Sequence, residues 1–207
     1  MSFDRILLIG ASGHGKVVID TLLCANPSMI IELVDDDARK HDQILHGLKI
    51  GKAPIGTFSN ERRFHVAVGH NGSREKLSDG FSRQGLIYQS ILHCRAYVAM
   101  SANIGDGVFL AAQSVVGPES KIERGCVINH GSVVDHDCVV GDFSHIAPNA
   151  TLGGNVKIGK RVLIGAGATV LPGVSIGDDC IVGAGAVVLK NLIPASTYIG
   201  VSARELK

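Results

Sequence analysis

A chain of 207 residues, 45% hydrophobic and 19% charged, is long enough for two domains, and 26 glycines against 4% aromatics point to a repetitive architecture rather than disorder. A net charge of +1, with no basic run interleaved with aromatics, gives no reason to expect nucleic acid or an anionic membrane as partner. With no charged-then-apolar leader and no apolar run of about 18 residues, the sequence predicts a cytoplasmic protein.

In chain order, Arg5 to Ile9 reads as a buried strand, Gly10-Ala-Ser-Gly-His-Gly15 as a glycine-rich turn and Lys16 to Leu23 as the helix that follows. Ile30 to Val34 supplies a second strand ending in Asp35, Asp36 and Asp37. His65 to Val68 supplies a third, followed by Gly69-His-Asn-Gly72 and a helix from about Arg74. Strands alternating with helices predict a small parallel α/β sheet, a Rossmann-like domain over residues 1–88.

The turn is G-x-x-G-x-G, not the G-x-G-x-x-G of dinucleotide-binding proteins. Two readings stay open for it. Either Ser12, Gly13 and His14 present backbone N–H groups at a helix N-terminus as an anion cradle, or the turn is only structural. Asp35 and Asp36, at the carboxyl end of the second strand, stand where carboxylates of such folds accept hydrogen bonds from a sugar or base; Asp37 reads better as a solvated turn residue.

From Val98 to Val188 every sixth residue is aliphatic, and the position four further on is small or modest, from Ala102 to Ala186. A period of six suits a chain that turns a corner every six residues and stacks coil on coil. Residues 89–207 are therefore expected to form an all-β parallel β-helix with three-sided coils. Glycines directly after the aliphatic, such as Gly105, Gly117, Gly141 and Gly165, are expected to supply the corner angles. Cys126, Cys138 and Cys180 fall in the small inward row and are expected to pack there as apolar groups. Cys24 and Cys94 have no CxxC partner and receive no role.

Ile9-Gly-Ala-Ser-Gly-His-Gly15, Val34-Asp-Asp36, Val66-Ala-Val-Gly-His-Asn71, Val133-Val-Asp-His-Asp-Cys138 and Gly141-Asp-Phe-Ser-His-Ile146 together resemble the NeuD and PglD group of sugar acetyltransferases, over essentially the whole chain. The resemblance implies that the all-β parallel β-helix is left-handed, that the protein is an acetyl-CoA-dependent homotrimer with active sites between neighbouring prisms, and that the acceptor is a nucleotide-linked amino sugar held partly by the N-terminal domain. On that basis the expected reaction is N-acetylation of a UDP-4-amino-4,6-dideoxyhexose, with O-acetylation of a sialic acid or related sugar as the alternative.

Carried over residue by residue, His136 is the expected general base and Asp137 the carboxylate that supports it. Asn129 and Gly69 join Ser12, Gly13, His14, Asp35 and Asp36 on the acceptor side. On the coenzyme A side, His145 matches a residue near the thioester, and Gly154, Gly165, Ala166, Gly183 and Lys190 match by register. Lys160, Arg161 and Lys190 are candidates for the phosphates, and His130 is an unusual neighbour of Asn129 without a fixed role. The trimer is expected to form through outward Val127, Val133, Ala147 and Leu163.

Two other classes compete. A zinc hydro-lyase on the same scaffold would use His130, His136 and His145; these are expected on three sides of a coil, where one chain cannot bring them to a common ion, and no metal is assigned. A non-catalytic nucleotide-sugar sensor would lack the base, but His136 and Asp137 are both present.

Overall fold

Strand β1 (Arg5–Ile9) is apolar beyond its exposed first residue because both of its faces are covered there: Ile6 to Ile9 are each at most 1% exposed. In this computed structural model, residues 3–54 and 62–205 are described, and the chain divides into two compact units, Met1–Cys94 and Arg95–Lys207. In the first unit β1 leads into α1 (Gly13–Ala25), β2 (Ile30–Val34), a small antiparallel hairpin β3 (Ile44–Leu45) and β4 (Leu48–Lys49), β5 (Arg63–Val66), α2 (Asn71–Arg83) and β6 (Ile87–Tyr88). The third long strand thus begins two residues earlier than its apolar run suggests, and α2 begins three residues before Arg74. The main sheet is parallel, in the order β2-β1-β5-β6. Phe64 anchors one face, stacked on Tyr88 at 4.9 Å and tilted against Phe81 at 5.6 Å. No helix of the described residues is long and apolar enough to cross a membrane.

The second unit is a three-sided parallel β-helix. Two-residue strands recur every six residues, and each pairs with the strand eighteen residues on: Val115 with Val133, Val133 with Thr151, Thr151 with Thr169 and Thr169 with Val187 on one side. Lys121, Val139, Lys157 and Ser175 stack on a second side, and Phe109, Val127, His145, Leu163 and Ile181 on the third. The second residue of each pair, Val116, Ile128, Val134 or Ile146, points inward and is fully buried.

The small inward row is more than filler. Ser120 donates to the carbonyl of Asp135 (2.6 Å), Cys126 to Gly141 (3.1 Å), Cys138 to Gly153 (3.2 Å) and Ser144 to Gly159 (2.8 Å), each reaching fifteen residues ahead. Ser144 also accepts from Val162 N–H, and Ser120 from Cys138 N–H, so the buried hydroxyls are satisfied in both roles. The cysteines pack in the core as expected, and burial pushes the Cys138 and Cys180 thiols up in pKa.

The corner glycines are a correction. The left-handed residues form their own six-residue series, running Gly107, Gln113, Glu119, Gly125, Gly131, Asp137, Phe143, Asn149, Asn155, Arg161, Gly167, Gly173, Asp179 and Gly185. Gly117, Gly141 and Gly165 are not among them. Their lack of a side chain answers a different need: a Cβ on Gly117 would stand 2.8 Å from the backbone of Asp135 and His136, on Gly141 2.7 Å from Gly159, and on Gly165 2.5 Å from Ala184 N. They let coils stack; the residue two places later turns the corner.

Candidate active site

In the first unit, the strand order reverses between β1 and β5, and at such a switch point ligands of open α/β sheets bind beyond the carboxyl ends of the strands. The turn after β1 and the Val68-Gly69 segment after β5 both lie there. Two of the three turn glycines are demanded by the fold. Gly10 has φ +111° and a Cβ on it would meet Ala67 O at 2.7 Å, while a Cβ on Gly15 would meet Gly10 O at 2.4 Å. Gly13 is different: it has no positive φ, and a Cβ there meets nothing within 4 Å. Its outer side is open, at the first residue of α1, where the helix leaves N–H groups without intrahelical partners. Ser12 caps the helix by position but makes no side-chain capping bond; it and Gly13 are exposed, and His14 is half-buried.

Asp35 holds this turn in place rather than standing open. Its carboxylate accepts from Ala11 N–H (2.7 Å), Asp37 N–H (2.9 Å) and Lys40 Nζ (2.9 Å). Burial alone would push its carboxyl up, but the Ala11, Lys40 and Asp37 donors outweigh it and hold the pKa below the usual carboxylate value. Asp36 is the exposed one, and it lines a cavity of about 360 Å³ with Asp35, Ala38, His41, Lys52 and Ala53. Gly69 is fixed through its carbonyl, which with that of Val68 accepts from Arg74 Nη1 at 3.0 Å. Arg74 is 1% exposed, and no motif in the sequence marks it as more than a helix residue.

In the prism, the imidazole of His136 is more than half exposed, and its Nδ1 lies 2.7 Å from Asp137 Oδ2. Asp137 is one of the left-handed corner residues (φ +59°), a conformation that Asp tolerates better than most residues. Asp135, the other acid of the D-H-D run, accepts from the His136 backbone N–H at 2.8 Å. The hydrogen bond that the ring donates to Asp137, then the Asp135 charge, raise the His136 pKa above its ordinary 6.5. With Nδ1 committed to the carboxylate, Nε2 is the nitrogen left to exchange a proton with a ligand. The ring lies against Gly154 in the next coil.

Asn129 and His145 were expected on opposite sides of the reaction, yet they are bonded to each other. Asn129 Oδ1 accepts from His130 N–H (2.9 Å), which fixes the amide, and its Nδ2 then meets His145 Nε2 at 3.0 Å. An amide N–H needs an acceptor, so Nε2 of His145 is unprotonated and the ring proton resides on Nδ1. The expectation of three histidines on three sides is also corrected: His145 stacks on Val127, and His130 follows that same strand by two residues. Sequence offset could have shown this, since Val127 and His145 are one coil apart.

Of the positions expected along coenzyme A, Gly154, Gly165 and Gly183 all have close neighbours that a Cβ would strike: the His136 ring, Ala184 N, and Ile199 Cγ2 at 2.9 Å. Ala166 is exposed, with its carbonyl accepting from Gly185 N–H. Lys160 pairs with Asp142 (3.0 Å) and Arg161 with both oxygens of Asp179 (2.7 and 2.8 Å). Lys190 makes no ion pair among the described residues and lines a groove of about 300 Å³ with Leu192, Tyr198 and Arg204. Val127 and Ala147 are buried within the single chain, so any flank offered to another copy rests on half-buried Val133 and Leu163.

Comparison with known proteins matches residues 5–81 to the PglD N-terminal domain and residues 101–136, 119–154 and 155–190 to the bacterial transferase hexapeptide (six repeats). The UDP-N-acetylbacillosamine N-acetyltransferase of Bacillus subtilis is 30% identical over 116 residues, an alignment that spans about half of either chain (52% and 51%). PerB from Caulobacter crescentus, solved in complex with CoA and GDP-perosamine, is 34% identical, with a TM-score of 0.88 over 98% of this chain and 97% of that one. The acetyltransferase domain of PglB from Neisseria gonorrhoeae, solved in complex with acetyl coenzyme A, is also 34% identical, with a TM-score of 0.86 over 98% and 99%.

Proposed function

The chain belongs to the family of hexapeptide-repeat sugar acetyltransferases that includes PglD, and from that premise we propose that it transfers acetyl from acetyl-CoA to the amine of a nucleotide-activated amino-deoxy sugar, a UDP-4-amino-4,6-dideoxyhexose. The observation that carries this reading is His136, exposed, with Nδ1 tied to Asp137 and Nε2 available. Neutral Nε2 takes a proton from the sugar amine as its nitrogen attacks the thioester carbonyl. The C–S bond then breaks, the imidazolium stabilised by Asp137 returns its proton, and the products are the amide and coenzyme A thiol. His145, oriented by Asn129, positions the thioester end, and Lys190 meets a phosphate of the coenzyme.

The acceptor's diphosphate is assigned to the open N–H groups around Gly13 at the start of α1, and its nucleoside to the cavity beside Asp36. Asp35 supports that cradle from behind. The N-acetyl reading is favoured over O-acetylation of a free sugar acid because an N-terminal cradle with an adjacent cavity suits a nucleotide diphosphate. We assign a homotrimer, in which another copy completes the prism-side site.

Purified protein with acetyl-CoA, tested against UDP- and GDP-linked amino sugars and sialic acid, checks the assignment through coenzyme A thiol release and product mass. An alkali-stable acetyl adduct, formed fastest on the UDP-linked amine, is expected. A faster GDP-linked reaction overturns the nucleotide assignment, and an alkali-labile ester on sialic acid overturns the reaction class.

A further inference from the structure

Three soft-donor side chains converge in the first unit, away from every residue assigned above. Cys24, in the last turn of α1, has its Sγ 3.3 Å from Sγ of Cys94, and Nδ1 of His93 lies 3.8 Å from the same Cys94 sulfur. The three donor atoms all fall within 4.8 Å of one another. We propose that Cys24, His93 and Cys94 form a binding site for a zinc ion, with water as the fourth ligand.

The distances and the donor set both argue for this. Zn–S bonds of about 2.3 Å and Zn–N bonds of about 2.0–2.1 Å at tetrahedral angles put neighbouring donors roughly 3.5–3.8 Å apart, close to the spacings present. A disulfide would bring two sulfurs to about 2.05 Å and would have no use for a third donor. Two thiolates and an imidazole suit zinc, whereas magnesium and calcium take oxygen ligands. Cys24 and Cys94 are exposed and His93 is half-buried, so an ion can enter and a water can complete its shell. The two thiols are seventy residues apart in sequence, and the ion would tie the end of α1 to the last residue of the unit. This site is independent of acetyl transfer, and the ion plays no part in the chemistry at His136.

Binding requires both thiols to lose their protons, so zinc uptake should release protons. Reduced full-length protein, freed of metal with a chelator, is titrated with Zn²⁺ against a chromophoric competitor, and in parallel with Co²⁺. One equivalent per chain, proton release and thiolate-to-cobalt charge-transfer absorption are expected. The Cys24→Ser/Cys94→Ser variant should lose that equivalent and that absorption while retaining acetyl transfer. In the wild-type chain, zinc should protect Cys24 and Cys94 from alkylation, read by peptide mapping, which decides the question if the variant folds poorly. Unchanged alkylation in the presence of zinc, cobalt spectra without thiolate bands, or a Cys24–Cys94 disulfide that excludes metal from the protein as isolated would each overturn the proposal.

Discussion

The His136 ring lies so close to Gly154 that a Cβ on that glycine would stand 2.5 Å from both Cε1 and Nε2. Gly154 is therefore a positioning residue for the base: its bare backbone is the surface on which the imidazole rests. Gly154→Ala should displace the ring while leaving the coil intact, because no left-handed φ requires glycine there. Misplacement of a catalytic group by about 1 Å can cost on the order of 10²-fold. The expected outcome is a kcat loss of about that size with an unchanged melting temperature, while His136→Ala should lose about 10²–10⁴-fold. Full activity in Gly154→Ala would remove the ring contact from the mechanism.

The acid limb of the rate profile should report His136. Its pKa is raised above 6.5 by Asp137 and then Asp135, so the neutral, proton-accepting form fills in only as pH rises through that higher value. Activity should climb across that window. Asp137→Asn removes the hydrogen-bonding carboxylate, so the limb should move to lower pH even as the plateau falls. Profiles of kcat/KM for the two proteins on one acceptor test the sign; the sugar ammonium titrates identically in both and cancels from the comparison.

Gly13 and Gly15 should separate binding from folding. Gly13→Leu places a side chain where the protein itself has nothing, so acceptor KM should rise well over tenfold with acetyl-CoA KM and melting unchanged. Gly15→Ala drives a Cβ to 2.4 Å from Gly10 O and should lower stability, by about 1–3 kcal/mol as for other overpacked sites. Equal acceptor KM in Gly13→Leu and wild type would rule out the cradle.

His65 should make the first unit acid-sensitive. It is buried, its Nδ1 lies 2.9 Å from Gln89 O, and burial lowers its pKa from 6.5 to about 4. Between those values the unfolded chain binds a proton that the folded chain refuses, so stability falls as pH drops from about 6.5 to about 4, by roughly 3 kcal/mol in all. Urea melts at pH 7 and pH 5 should show the loss, and His65→Leu should flatten this part of the slope.

The β-helix was legible in the sequence because one of the inward positions in every six residues takes a large aliphatic side chain, which leaves an unbroken row from Val98 to Val188. Its corners were not. Left-handed positions are occupied by Gln113, Glu119, Phe143 and Arg161 as readily as by glycine, since register with the neighbouring coils imposes the angle. The same holds for the site. His136 and Asp137 are adjacent in sequence and readable as a pair, whereas Asn129 and His145 meet only through the eighteen-residue coil. The bonds that occupy Asp35 come from Ala11 and Lys40, partners that no local motif marks.

The hydrogen bonds from inward serines and cysteines to carbonyls fifteen residues ahead also set the grammar by which this chain can change length. Excising a whole coil of eighteen residues above the active coil, such as 157–174, rejoins equivalent positions and leaves every remaining donor facing an equivalent carbonyl. Removing a single residue shifts the alternation, turning downstream aliphatics outward and their polar neighbours into the core. Length variants of the prism should therefore be tolerated in quanta, with nothing viable between them.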